Sequence, residues 1–383
     1  MNTLTTRDLV NLVRSAFPRF ETDKRLAVFV DIPRDPATDN EPWKVRRAMA
    51  ASWAEALRAG RAGIPLEEIS LIAYPDVGSN NADLPAFGYI VDGPLPDTAE
   101  GLPSAGRPIS FDEVFRLFQI ILAPTEFSTT APLKNAGRKY GFRAATMPGF
   151  AASMIPALRV DYAEVGRRCR VLKTMLDEAE EAKIEFVVEG REKHIMTFDL
   201  RFRSAHESGG RFPDRGMAGN LPSGETYIVP YEGEKGEPSG TLGVLPVEIE
   251  GEIVRFGVEF NKVAAVDGSG PAAEAERLHL AAEPAYGNMA ELGFGVLGDF
   301  GLDPVGEILL DEKLGLHVAF GRSDHFGGIV GSSAFSSPAA VIHLDRIYIP
   351  AVQPRISIAS VDFRFPGGRV ERVMTAGRFS IFG

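Results

Sequence analysis

The chain has 383 residues, of which 44% are hydrophobic and 24% charged, with a formal net charge of −11 and a pI near 5.2. This is an ordinary globular composition, long enough for about two domains. Its acidity excludes the clustered Lys and Arg that a nucleic-acid surface or an anionic membrane would require, which leaves small molecules or peptides as the expected ligands.

Cys169 is the one cysteine, so neither an internal disulfide nor a thiolate zinc cluster can form, and a reducing compartment is expected. The N-terminal MNTLTTRDLVNLVRSAF is polar and mixed in charge where a signal peptide needs an unbroken apolar stretch. No run of about 18 apolar residues occurs. The expectation is a soluble, cytoplasmic protein without a membrane partner.

In chain order, RLAVFVDIP (Arg25 to Pro33) reads as an apolar strand, and EPWKVRRAMAASWAEALRAG as an alanine-rich helix stopped by glycine. EEISLIAYPD gives a second strand, SFDEVFRLFQIILAPTE a helix running into a strand, and STTAPLKNAGRKYG a helix capped by Ser128 or Thr129. Strands separated by helices favour parallel pairing through right-handed crossovers. DYAEVGRRCRVLKTMLDEAEEA predicts one long helix from Asp161 to Ala182, with the domain boundary just after it. From Ile184 onward the runs IEFVVEG, KHIMTFDLRFRS, GETYIVPYEGE and GTLGVLPVEIEGEIVRFGVEF are β-rich and joined by glycine turns, as in meanders and hairpins. The predicted fold is an α/β domain with a mostly parallel sheet over 1–183. A mostly-β domain of mixed or antiparallel sheet follows over 184–383. The first domain carries neither a G-x-G-x-x-G nor a Walker loop, so no nucleotide is expected.

Near the C-terminus stands VIHLDRIYI. Strand side chains alternate with period two, so His343 and Asp345 share one face while Ile342, Leu344 and Arg346 occupy the other. The pair either hydrogen-bonds internally or shares a cation. His317 lies in the apolar run LGLHVAFG, Glu225 opens an apolar strand in PSGETYIVP, and Glu291 sits among apolar neighbours in MAELGFGVLG. A lone histidine in a strand is more often a hydrogen-bonded core residue than a ligand. Five such residues in one domain change that balance, because buried carboxylates gathered with imidazoles need compensating positive charge, which a divalent ion supplies. His194 and His206, beside charged residues, read as surface or hinge positions, and His279 as structural.

NLPSGE, AELGFG, HVAFGR and HLDRIY, in that order, resemble the ligand motifs of the M29 metallo-aminopeptidases, the aminopeptidase T and S group, and the upstream STTAPLKNAGRKYGFRAATMPGF resembles that family's S-T-x-A helix and M-P-G turn. The resemblance runs from about Leu122 to Tyr348. It implies two divalent ions, Zn, Co or Mn, held by Glu225, Glu291, His317, His343 and Asp345, in a homodimer that removes N-terminal residues from peptides. The family's catalytic tyrosine has no counterpart in GRSDHFGG. There Asp324 or His325 would serve as proton shuttle or oxyanion partner, with Arg322 as electrostatic stabiliser. A ring-cleaving dioxygenase of dihydroxypyridines resembles the same scaffold, and His317, His343 and Asp345 alone form a 2-His-1-carboxylate set suited to Fe(II). A metal-stabilised protein without catalysis is the third possibility.

Overall fold

The apolar runs of the first half form strands, as their aliphatic and aromatic content favours. The computed structural model describes residues 3–382, so Met1 and Asn2 of the stretch read for a leader fall outside it. The strands β1 (Arg25–Ile32), β2 (Glu68–Pro75), β3 (Phe87–Val91), β4 (Gly106–Ser110), β5 (Ile120–Ala123) and β6 (Arg143–Thr146) are joined by β10 (Ala218–Asn220) in one sheet of order β10-β6-β5-β1-β2-β3-β4. β2, β1, β5, β6 and β10 pair in parallel, and β3 and β4 add an antiparallel edge.

The helix Glu41–Ala59 links β1 to β2. The Asn40 side chain caps it by accepting from Trp43 N, Gly60 ends it, and Trp43, Trp53, Ala54 and Leu57 are buried along it. Where β1 ends, Asp31 is buried and accepts backbone N–H bonds from Glu126 at 2.8 Å and Phe127 at 3.1 Å, which ties the segment after β5 to β1. The helix Thr130–Tyr140 follows. Its N-cap is Thr129 by position but makes no side-chain cap; the Ser128 hydroxyl accepts from Thr130 N at 3.3 Å instead.

The chain divides into two compact units. One runs up to Gly166 and recovers Gly210–Ser223, and the other takes Arg167–Gly209 and the chain from Gly224 onward. This differs from a single cut after Lys183. The long helix ends at Glu178, because Glu181 and Ala182 pair with Arg364 and Phe363 in a strand instead of prolonging the helix. A boundary at 183/184 would bisect that strand. The excursion Gly210–Ser223 carries β10 to the first sheet.

The second unit holds two antiparallel sheets. The larger is formed by β7 (Glu181–Val188), β8 (Glu192–Asp199), β12 (Leu242–Ile249), β13 (Glu252–Glu259), β14 (Lys262–Asp267), β18 (Ile356–Arg364), β19 (Val370–Thr375) and β20 (Arg378–Phe379), in the order β14-β13-β12-β8-β7-β18-β19-β20. The smaller is formed by β9 (His206–Ser208), β11 (Glu225–Ile228), β15 (Met289–Gly295), β16 (Leu316–Gly321) and β17 (His343–Tyr348), in the order β17-β16-β15-β11-β9. Aromatic pairs join the sheets: Phe320 with Phe256 at 5.1 Å, Phe294 with Phe363 at 5.5 Å and Tyr348 with Phe186 at 4.7 Å. Burying each such ring contributes about 1.5–3 kcal/mol and leaves the other face of the small sheet free for polar work. Among the described residues no helix is long and apolar enough to cross a membrane.

Candidate metal centre

Register brings together residues that are far apart in sequence. Glu225 pairs with Gly295, His317 with Gly293 and Ile347, Asp345 with Ala319, and His343 with Gly321, while Glu291 also pairs with Ala319. With period-two alternation all five donors rise from one face of four neighbouring strands, and the positions between them are Gly293, Gly295, Ala319 and Gly321. Gly293 leaves the space the His317 ring fills, and Gly295 lets the Lys313 backbone approach. A methyl on Gly293 would lie 1.9 Å from His317 Nε2, and one on Gly295 would lie 2.2 Å from the Lys313 carbonyl carbon.

Glu291 is central. Its Oε1 is 3.2 Å from His317 Nε2 and its Oε2 is 3.3 Å from His343 Nε2. Glu225 Oε2 lies 3.8 Å from His317 Nε2, and Asp345 Oδ1 lies 3.7 Å from His343 Nε2. The donors thus fall into two groups that share Glu291, His317 with Glu225 on one side and His343 with Asp345 on the other. Glu291, His343 and Asp345 offer ligand atoms within 4.8 Å of one another. Burial opposes ionisation of Glu291, but hydrogen bonds from both imidazoles outweigh it and hold the carboxyl at about 2. Burial likewise opposes protonation of His317 and His343, yet Glu291 carries them up to about 10 and about 9. Burial pushes Glu225 up to about 7 and Asp345 up to about 6. Without a metal, protons on the two histidines supply the positive charge this face requires.

The donor set fits a divalent ion on three counts. Three carboxylates and two imidazoles suit Zn, Mn, Co or Fe. His343 Nδ1 donates to the Arg322 carbonyl at 2.8 Å, and His317 Nδ1 lies 3.4 Å from the Gly315 carbonyl. Both rings therefore turn Nε2 inward, and a carbonyl on the far nitrogen is the usual outer partner of a metal-binding histidine. The glycine-lined face provides the room.

The three residues read as catalytic accessories sit in the turn after β16. Arg322 Nε donates to Asp324 Oδ1 at 2.5 Å, and this pairing holds the Asp324 carboxyl below the usual range. The Asp324 carboxylate is thus engaged by the Arg322 guanidinium. The His325 ring lies 5.1 Å from the His343 ring. Burial, then the neighbouring His343 and Arg322 charges, bring it down to about 4, so it is a neutral imidazole at pH 7. Arg322 also lines an open cavity of about 420 Å³ with Phe335, Ser337 and Val341.

One residue with no place in the sequence reading, Lys313, belongs here. Lys313 is wholly buried, with Nζ 3.2 Å from Glu225 Oε1 and in contact with Glu312, and these carboxylates keep its ammonium charged against the cost of burial. His206, read as a surface or hinge residue, instead stacks on Tyr227 at 5.3 Å and donates from Nε2 to the Phe326 carbonyl at 2.9 Å. His279, in the helix Pro271–Ala282, stacks on Tyr286 of the following 3-10 turn at 4.0 Å, as a structural histidine would. His194 lies 2.9 Å from Glu192, beside the Arg255–Glu192 ion pair and away from the site.

No known family signature matches the chain, and no curated protein matches it. Among solved structures it is similar to 2,5-dihydroxypyridine dioxygenase from Pseudomonas putida KT2440, with TM-score 0.58 and 15% identity over 100% of this chain and 98% of that one. It is also similar to AmpT from Thermus thermophilus, with TM-score 0.55 and 13% identity over 98% and 99% of the two chains. At these identities the shared property is the fold, with its α/β part and its antiparallel sheets.

Proposed function

We propose that the protein is a metal-dependent hydrolase of the aminopeptidase kind, which removes N-terminal residues from peptides with a metal-activated water. One observation carries this reading: Glu291 presents one oxygen to each of two imidazoles, 3.2 and 3.3 Å away, with Glu225 and Asp345 on the outer sides. Two divalent ions, Zn, Co or Mn, would be held here, one by Glu225, Glu291 and His317 and the other by Glu291, His343 and Asp345. When bound, such ions would supply an acidified water and a Lewis acid for the scissile carbonyl and the free α-amine. The chain's own residues do the remaining work. Neutral His325 accepts a proton and returns it to the leaving amine, Arg322 holds Asp324 out of that exchange, and the buried face excludes bulk water. A cytoplasmic homodimer is the working form in this reading.

The test is elemental analysis of the purified protein followed by cleavage of a leucine anilide with and without chelator. Two equivalents of zinc, cobalt or manganese with chelator-sensitive cleavage are expected. Stoichiometric metal with no cleavage of any N-terminal residue would overturn the proposal.

A second reading has its own support in the Lys313–Glu225 pair at 3.2 Å. If that ammonium retains Glu225, the donors left for a single ion include His317, His343 and Asp345, the composition of Fe(II) ring-cleaving dioxygenases. One equivalent of iron, with oxygen uptake on a dihydroxypyridine-like substrate, would favour it over the hydrolase.

A further inference from the structure

The turn that carries His325 is held from beneath by a buried carboxylate that belongs to neither donor group. The Glu232 side chain is 3% exposed, and a carboxylate so buried is tolerated only when its oxygens are fully engaged. Oε1 accepts from Ser323 Oγ at 2.6 Å and from Asn288 Nδ2 at 2.8 Å. Oε2 accepts from Ile329 N at 2.5 Å and from Arg203 Nη2 at 3.1 Å. The Arg203 guanidinium, 8% exposed, also donates from Nη1 to the Gly327 carbonyl at 3.1 Å and pairs with Glu234 at 2.6 Å.

Ser323, Gly327 and Ile329 are therefore each bonded to one buried ion pair, and His325 lies among them. Asn288 fixes the same pair to the end of β16, donating to the Gly321 carbonyl at 3.0 Å, and is itself held by Asn261 Nδ2 at 3.0 Å. On the outer side Phe326 is gripped by His206 through its carbonyl and by the Tyr227 ring at 4.7 Å. Gly328 leaves the room this requires: a methyl there would lie 2.2 Å from Ser323 Oγ and 2.8 Å from Glu232 Oε2. With both sides fixed, the His325 ring is set against Phe326 at 3.9 Å and beside His343 at 5.1 Å.

We propose that Glu232, backed by Arg203, is a positioning residue that fixes the Arg322–Val330 turn so that His325 stands against His343. The proposal rests on the hydrolase reading for its kinetic consequence only. Among the described residues Glu232 has no hydrogen bond or ion pair to Glu225, Glu291, His317, His343 or Asp345, so it reaches the donors only through the turn, whose Arg322 carbonyl accepts from His343 Nδ1. Glu232→Gln would put an amide NH₂ either against Ile329 N and Arg203 or against Asn288 Nδ2 beside the Ser323 hydroxyl, leaving at least one donor unmatched and the Arg203 charge without its carboxylate.

The test compares wild type, Glu232→Gln and the milder Ser323→Ala by amide hydrogen exchange over 323–330, by bound metal, and by leucine-anilide kinetics. In both variants exchange over the turn is expected to quicken, more in Glu232→Gln, with metal content unchanged; kcat should fall about tenfold or more while KM holds, as for a misplaced proton carrier. Unchanged exchange in both variants would overturn the proposal, as would loss of metal from Glu232→Gln with the turn still protected. Should wild type cleave nothing, the hydrolase reading fails alone, because exchange over the turn still reports whether Glu232 holds it. Should Glu232→Gln not fold, Ser323→Ala decides the matter by the same exchange measurement, since the Oγ contact at 2.6 Å is lost while the ion pair stays.

Discussion

Gly293 sits directly across from His317 in the register of β15 and β16, and its missing side chain is the space the imidazole occupies. The ring lies over the glycine with Nε2 turned toward Glu291, 3.2 Å away. Gly293→Ala therefore has to push the ring out of line with both donor groups. The expected result is a folded protein, destabilised by about 1–3 kcal/mol from overpacking, that binds metal far more weakly. Urea titration paired with metal analysis checks it. Unchanged metal binding would mean that His317 is not a donor.

Glu291 is the residue on which the two donor groups meet. Removing its charge strands two imidazoles that carry protons in the metal-free state, and breaking such a buried pair costs about 3–5 kcal/mol. Glu291→Gln should lose metal affinity by more than the roughly 10–100-fold typical of an outer-shell change. Titration calorimetry with zinc and manganese on chelator-stripped protein measures this directly.

The opposite face of the same sheet makes a contrasting prediction. Phe294 is fully buried and meets the Phe363 ring at 5.5 Å, with no route to the donors on the other side. Phe294→Ala should cost about 3–5 kcal/mol and leave metal stoichiometry as it was. Thermal unfolding followed by metal analysis separates the two faces, and metal loss in the folded variant would show that packing and donor geometry are not independent.

How legible this was depended on the range of the interaction. His343 and Asp345 could be placed on one face because alternation is a local rule, and β1 and the helix Glu41–Ala59 followed from equally local patterns. The convergence of Glu225, Glu291 and His317 rests on pairing between distant strands, and from the sequence it was accessible only through their odd positions in apolar runs. Nothing in the local pattern of DEKLG or YEGEKGE distinguishes Lys313 or Glu232 from surface charge; burial by distant strands is what makes them structural. The helix expected through Ala182 stops at Glu178 because pairing with β18 outweighs the helix propensity of an Ala- and Glu-rich stretch. A further signal was available and unused: Gly293, Gly295, Ala319 and Gly321 alternate along two strands, the pattern of a sheet face kept open for something bulky.

Asp31 yields a prediction about pH that is independent of the metal centre. It is 1% exposed, and burial, only partly offset by the N–H groups of Glu126 and Phe127 and by the Trp43 indole, raises its carboxyl from 3.8 to about 6. Below pH 4 the residue is neutral in both folded and unfolded chains, so its contribution is fully present there. Between about 4 and 6 the unfolded chain ionises first, and stability is lost as pH rises through the folded value, by about 3 kcal/mol in all. Asp31→Asn cannot ionise, so the stability of wild type relative to this variant should fall across that window and level off above pH 7. Urea unfolding of both proteins at several pH values gives the slope, and parallel curves from pH 4 to 7 would show that Asp31 is charged in the folded state throughout.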